Sequence, residues 1–154
     1  MLKKSEIFIN SLKRKSEFVY YHNDKNQIIN RNRLNQVKQL MINKNMLQFR
    51  ICLHHNDNEN VQSMIIFYRK GFELDFIWQD KGIVQYNHLE GLGKIICLSE
   101  DGKEILLKSS KSNPLIKLNA SQTRKVMPVS DFWIFSEIAE GPFKPENTKR
   151  LNNA

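Results

Sequence analysis

The sequence predicts a mostly β chain, a β-sandwich or barrel preceded by a helical N-terminal arm. Three observations predict it. From Met46 onward the apolar residues recur with period two, in short runs separated by turn signals. Upstream of Met46 the spacing is helical instead. The eight or nine runs after Met46 recur at roughly ten-residue spacing, which argues against a βαβ fold. The 154 residues, 40% hydrophobic with nine Phe, four Tyr and two Trp, suffice for a single folded core.

Taken in order, Ser5 to Lys15 carries Ile7, Phe8, Ile9 and Leu12, which predicts a short amphipathic helix with Ser5 as N-cap. Glu17 to Tyr21 favours a strand through its β-branched and aromatic residues. Residues 22–26 read as a turn. A second helix is predicted over Asn32 to Asn43, with Leu34, Val37, Leu40 and Met41 on one face. Strands are then predicted at Phe49–Leu53, Gln62–Arg69, Phe72–Trp78, Ile83–Leu89, Lys94–Leu98, Glu104–Lys108, Leu115–Leu118, Thr123–Met127 and Phe132–Ile138. Glu90-Gly91-Leu92-Gly93 reads as a turn, and Asp101-Gly102 as the tip of a hairpin. The tail after Phe143 is polar and expected to be loosely ordered.

The formal charge of +8 is unevenly placed. Residues 1–50 carry eleven basic and three acidic side chains, residues 51–105 five and nine, and residues 106–154 eight and four. A basic arm can meet nucleic acid, anionic lipid or an anionic sugar derivative, but it is also what a solvated face looks like in a chain with 17 Asn. Lys13-Arg14-Lys15, Arg31, Arg33, Lys38 and Lys44 form no single helical face, so a nucleic-acid partner is not expected. No apolar run approaches a membrane span. Met1 to Glu6 begins like a signal peptide but lacks an apolar stretch and a small-residue cleavage site behind it. Cys52 and Cys97 sit in apolar contexts without CxxC spacing and read as buried, reduced thiols, so the expected location is cytoplasmic. There is no GxGxxG, Walker A, CxxC, HExxH or GxSxG, which removes support for the dinucleotide, P-loop, zinc-ribbon, zincin and hydrolase readings.

Four segments carry a resemblance. Leu53-His54 is followed by Asp57, Val61, Gln62 and the strand Met64-Ile65-Ile66; then come Leu89-Glu90-Gly91 and Ser99-Glu100-Asp101-Gly102; last is Glu137-Ile138-Ala139-Glu140-Gly141-Pro142-Phe143. In this order they resemble the WbuC-type cupins, small bacterial proteins met among surface-polysaccharide (O-antigen) functions. The resemblance implies a cupin-like double-stranded β-helix, a jelly-roll barrel, over residues 32–145 with a leading helix. Residues 1–31 would then be a basic extension with a short helix and 146–154 a polar tail. Cupins of this kind hold a metal with a His-x-His pair, a Glu and a later His. Counting back from Gly91, those positions fall on Ile77, Gln79, Val84 and, near the last, Arg124. Ile and Val cannot ligate, and Arg repels a cation. The expectation is therefore no metal and no cofactor.

A metal-free barrel can still bind or react. Period two puts Val84, Tyr86 and His88 on the face the family turns inward, with Asp75, Ile77 and Gln79 inward from the strand before. His88 or His54 is a candidate base and Tyr86 a candidate acid; Gln79, Asp75, Arg124 and Gln62 are candidate ligand-binding residues. Each has a structural counter-reading: His88 as barrel wall, Tyr86 as core with a polar tip, Arg124 as surface charge beside Lys125, and Glu137 as support for the Gly141-Pro142 turn. His54-His55 lacks the i, i+2 spacing of a strand metal pair. The leading expectation is a degenerate WbuC-like cupin that binds a small anionic or sugar-bearing ligand, or a protein partner, without catalysis. Alternatives are a metal-free epimerase or isomerase of a nucleotide-sugar, and an interaction module that docks a larger protein or nucleic acid through the N-terminal arm. A homodimer paired through barrel edges is also expected.

Overall fold

A computed structural model describes residues 8–22 and 28–151. Among these, ten strands form one mixed sheet that bends around an interior. They are β1 (Lys13–Arg14), β2 (Val19–Tyr21), β3 (Gln48–Cys52), β4 (Val61–Arg69), β5 (Ile77–Gln79), β6 (Ile83–Leu98), β7 (Glu104–Ser109), β8 (Leu115–Asn119), β9 (Arg124–Glu140) and β10 (Thr148–Arg150), accompanied by the helix α1 (Arg31–Asn43) and a short 3-10 turn at Pro145–Asn147. The main order is β1-β2-β3-β4-β9-β5-β10, and β6 pairs with β7, β8 and β9. Most pairs are antiparallel, but β2 lies parallel to β3.

Helix α1 starts at Asn30, whose side chain accepts the Arg33 N–H at 3.1 Å, and stops where Asn45 takes a φ of 51°. Its apolar stripe buries Leu34, Val37 and Met41 against Phe49, Ile51, Ile65, Phe67 and Ile134 of β3, β4 and β9. Each such side chain, fully buried, contributes roughly 1.5–3 kcal/mol. The alternate residues of the same strands, among them Ile66, Tyr68, Trp133 and Phe135, pack inside the barrel with Val84, Tyr86, Ile95 and Cys97 of β6. Lys38 of α1 pairs with Glu90 of β6.

Several expectations are corrected. Residues 8–10 are helical, but Lys13 and Arg14 form β1, so the predicted helix does not reach Lys15; Ser5 lies outside the described residues. The described part of the basic arm belongs to the core: Phe8 and Leu12 are buried against α1, and β2 extends the sheet. Of the predicted strand Phe72–Trp78, only Ile77 onward is a strand. The turn at residues 90–93 is instead a pair of register shifts inside the continuous strand β6, and Thr123–Met127 and Phe132–Ile138 are likewise one strand, β9. Gly91 allows this: its φ is +80°, and a Cβ there would stand 1.9 Å from the Phe132 carbonyl oxygen. The polar tail is also ordered through residue 151, because β10 pairs with β5. Cys52 and Cys97 are buried free thiols, and burial pushes Cys52 up to about 11, far from a reactive thiolate. Among the described residues no helix is long and apolar enough to cross a membrane.

Candidate functional site

One end of the sheet's interior opens into a cavity of about 630 Å³. The interior residues of β3, β4, β6 and β9 at this end stop being apolar. Strand pairing sets Glu137 of β9 beside Met64 of β4 and Tyr86 of β6, while Arg50 of β3 sits one rung along, beside Ile66. Arg124 starts β9, opposite Ile77. Beyond β9 the chain crosses one side of the cavity, so Gly141 through Pro145, Asn147, Thr148 and Arg150 help to line it.

The charged groups are held by phenols and backbone. Arg124 is 2% exposed; its Nε donates to Tyr86 Oη at 2.7 Å and its guanidinium to the carbonyls of Ala120 and Gln122 at 3.0 and 3.2 Å. Arg50 donates to Tyr68 Oη at 3.0 Å, and its Nε is buried without a partner among the described residues. The Glu137 carboxyl faces the cavity, receives no hydrogen bond and forms no ion pair among the described residues. Burial raises its pKa, opposed by the charges of Arg50 and Arg124. Burial likewise raises Tyr68 and Tyr86, so both phenols keep their protons.

Of the residues singled out from sequence, the structure brings Tyr86, Arg124, Gln62 and Gln79 to this cavity. Gln79 Nε2 donates to Thr148 Oγ1 at 3.3 Å, tying β5 to β10. Gln62 donates to the Glu59 carbonyl at 2.8 Å, and Gly141 N–H donates to the Asn60 carbonyl at 2.7 Å. A Cβ on Gly141 would stand 1.9 Å from Glu59 O, so glycine is required where the C-terminal turn meets this loop. The early Gln62 and late Gly141 segments are thus spatial neighbours. Arg124 is buried, not surface charge beside Lys125.

Three candidates lie elsewhere. His54 is 5% exposed, its Nδ1 lies 2.9 Å from Ser63 O and 3.1 Å from Ser63 N, and Tyr21 packs edge-on against its ring. Backbone contact occupies that nitrogen, and the ring does not line the cavity. His88 shares a strand face with Tyr86 but pairs with Phe135 at the next rung inward, and its Nε2 lies 2.7 Å from Gly91 O. It braces the β6 bulge. Asp75 is exposed because the segment before Ile77 is not a strand, so it has no inward alternation to follow. Arg50, Tyr68 and Glu137 were missed as site residues. The available signal was a charged residue at the inward position of an apolar strand, as in Phe49-Arg50-Ile51.

The positions that the resemblance assigns to metal ligands do not form a donor set. Ile77, Gln79 and Arg124 line the cavity, while Val84 is buried in the interior cluster. Among the described residues no three His, Cys, Asp or Glu side chains are grouped to hold a metal ion. Glu137 is the carboxylate nearest Tyr86, and two fixed guanidinium charges act on it; a divalent cation there meets repulsion.

No protein-family model and no curated protein matches the sequence. Solved structures do match in shape. Oxalate decarboxylase from Bacillus subtilis aligns with a TM-score of 0.53 at 15% identity, over 61% of this chain and 24% of that one. Protein SO0799 from Shewanella oneidensis aligns with a TM-score of 0.57 at 12% identity, over 67% of this chain and 73% of that one. The oxalate decarboxylase of Lactobacillus farciminis, solved as a formate complex, gives 0.52 at 14% identity, over 62% and 28%. These are cupin-fold proteins. This chain has the cupin fold. The match spans about a quarter of each decarboxylase, and at these identities it is a likeness of cupin architecture alone.

Proposed function

We propose that this cupin is a binding protein for a small anionic ligand, held in the barrel cavity by Arg50 and Arg124 and without a metal. The observation that carries the reading is the pairing of two guanidinium groups with two phenols inside one cavity, with Arg50 Nε left unpartnered. Burying an unpaired donor costs about 1–3 kcal/mol, and an anion's oxygen removes that cost. The volume lies within the range of small-molecule sites. The solved neighbours named for oxalate decarboxylase and a formate complex supply carboxylates as first probes.

The finer assignment, to the WbuC type with its link to surface polysaccharide, rests on the Leu53-His54…Gln62 and Glu137…Phe143 segments and belongs to the same proposal. The nucleotide-sugar isomerase reading is weaker. Neither His54 nor His88 lines the cavity, so its base would have to be another group. The test is a thermal-shift and calorimetric screen of carboxylates and phosphates on wild-type protein, Arg124→Met and Arg50→Met, with elemental analysis alongside. At a hundredfold excess over Kd a true ligand stabilises by about 2.7 kcal/mol. Affinity should fall at least about tenfold in each variant. A stoichiometric metal that stabilises the protein, or anions that bind the Met variants as well as wild type, overturns the reading.

A further inference from the structure

Away from its rim the cavity offers more donors than acceptors: of the lining carboxylates other than Glu137, Asp80 and Glu140 are exposed, and Asp80 pairs with Lys149. Tyr68 Oη accepts from Arg50 and Tyr86 Oη accepts from Arg124, so each phenol has a lone pair filled and its own proton left to give. Neither proton finds a protein acceptor among the described residues, and Arg50 Nε–H is unpartnered as well. Against these donors stands Glu137, directly opposite Tyr86 across the strand pair. It faces the cavity, yet among the described residues it takes no hydrogen bond and joins neither guanidinium in an ion pair. A simple anion satisfies the donors but leaves this carboxylate repelling it. A ligand that also carries hydroxyl groups satisfies both. An ammonium would satisfy Glu137 too, but it would share the cavity with two guanidinium charges.

We propose that the cavity takes a polyhydroxylated anion, a sugar acid or sugar phosphate, whose anionic group is held by Arg50 and Arg124 and one of whose hydroxyls donates to Glu137. This rests on the anion-site reading above and adds the hydroxyl requirement. Hydrogen bonds to a charged acceptor are worth enough to give about a ten- to hundredfold preference for the hydroxylated partner.

Matched pairs test it by calorimetry on the full chain: glucuronate against hexanoate, and glucose 6-phosphate against hexyl phosphate, with 6-aminohexanoate as the ammonium arm. The expected result is a preference of about tenfold or more for the hydroxylated member of at least one pair. The pair that shows it identifies carboxylate or phosphate as the anion. In Glu137→Leu the member without hydroxyls should bind more tightly, because the repelling carboxylate is gone, while the hydroxylated member loses its hydrogen bond and the preference between them collapses. In Glu137→Gln, whose amide oxygen still accepts, part of the preference should survive; this variant also serves if the Leu protein does not fold. Equal affinity within both pairs, or the tightest binding by 6-aminohexanoate, overturns the inference and leaves the anion site standing. Failure of all five probes to bind overturns both.

Discussion

Strands β3, β4 and β9 present two faces of opposite character built from alternate residues of the same segments. Toward α1 they turn Phe49, Ile51, Ile65, Phe67 and Ile134, a wholly apolar surface. Toward the cavity they turn Arg50, Gln62 and Glu137, with Tyr68 between the polar end and the aromatic layer of Trp133 and Phe135. The first face lowers the free energy of the folded chain by removing apolar area from water. The second holds two guanidinium groups and a carboxyl around the cavity, which no requirement of packing demands. The helix face thus contributes packing alone, whereas the inward face combines its own apolar cluster with charges that binding can use.

The contrast is most easily broken from the helix side. Phe67 is fully buried and meets Phe49 edge-on at 6.1 Å. Phe67→Ala should lower stability by about 3–5 kcal/mol in urea denaturation while leaving anion affinity unchanged where the protein is folded. On the cavity side, Gly93→Ala would set a Cβ 2.0 Å from the Trp133 ring. It should cost about 1–3 kcal/mol and, by displacing the aromatic layer, also weaken ligand binding. Asn30→Ala removes the cap of α1 and should cost about 1 kcal/mol with no effect on the cavity, read by the same denaturation curves.

The smallest effect sharpens the comparison most. Burial holds the Glu137 carboxyl above its ordinary range. Between the ordinary value of about 4.3 and that raised value the native state binds more protons than the unfolded chain. This group's contribution is therefore most favourable at low pH and is lost as pH rises through the raised value. The difference in urea midpoint between wild type and Glu137→Gln should move in favour of the variant as pH increases. A difference that stays flat would show that Glu137 is not desolvated.

Period and caps made much of the architecture readable. The stripe Leu34, Val37, Met41 and the Asn-rich stop after it locate α1 to within a residue, and β3, β4, β7 and β8 lie close to their apolar runs. Gly91 misled because the backbone freedom that makes a turn also makes a bulge; whether β6 reverses or bends depends on β9 running beside it. Tyr86, Arg124, Gln62 and Gln79 were reachable from strand alternation and from the resemblance. Arg50 and Glu137 were not singled out as site residues, because a charge inside an apolar strand points inward or outward according to which face the helix covers.

By itself the sequence determined the β-rich class, the position of α1 and the alternation that makes every inner strand two-faced. These follow from local periodicity and backbone preference, which act over a few residues. It did not determine that Arg50, Arg124 and Glu137 share one cavity, or that His54 and His88 are spent on backbone contacts. Those depend on the registers of β3 with β4, β4 with β9 and β9 with β6, which join residues as far apart as 50 and 137. Long-range pairing chooses which alternate face becomes interior, and local preference carries no information about that choice.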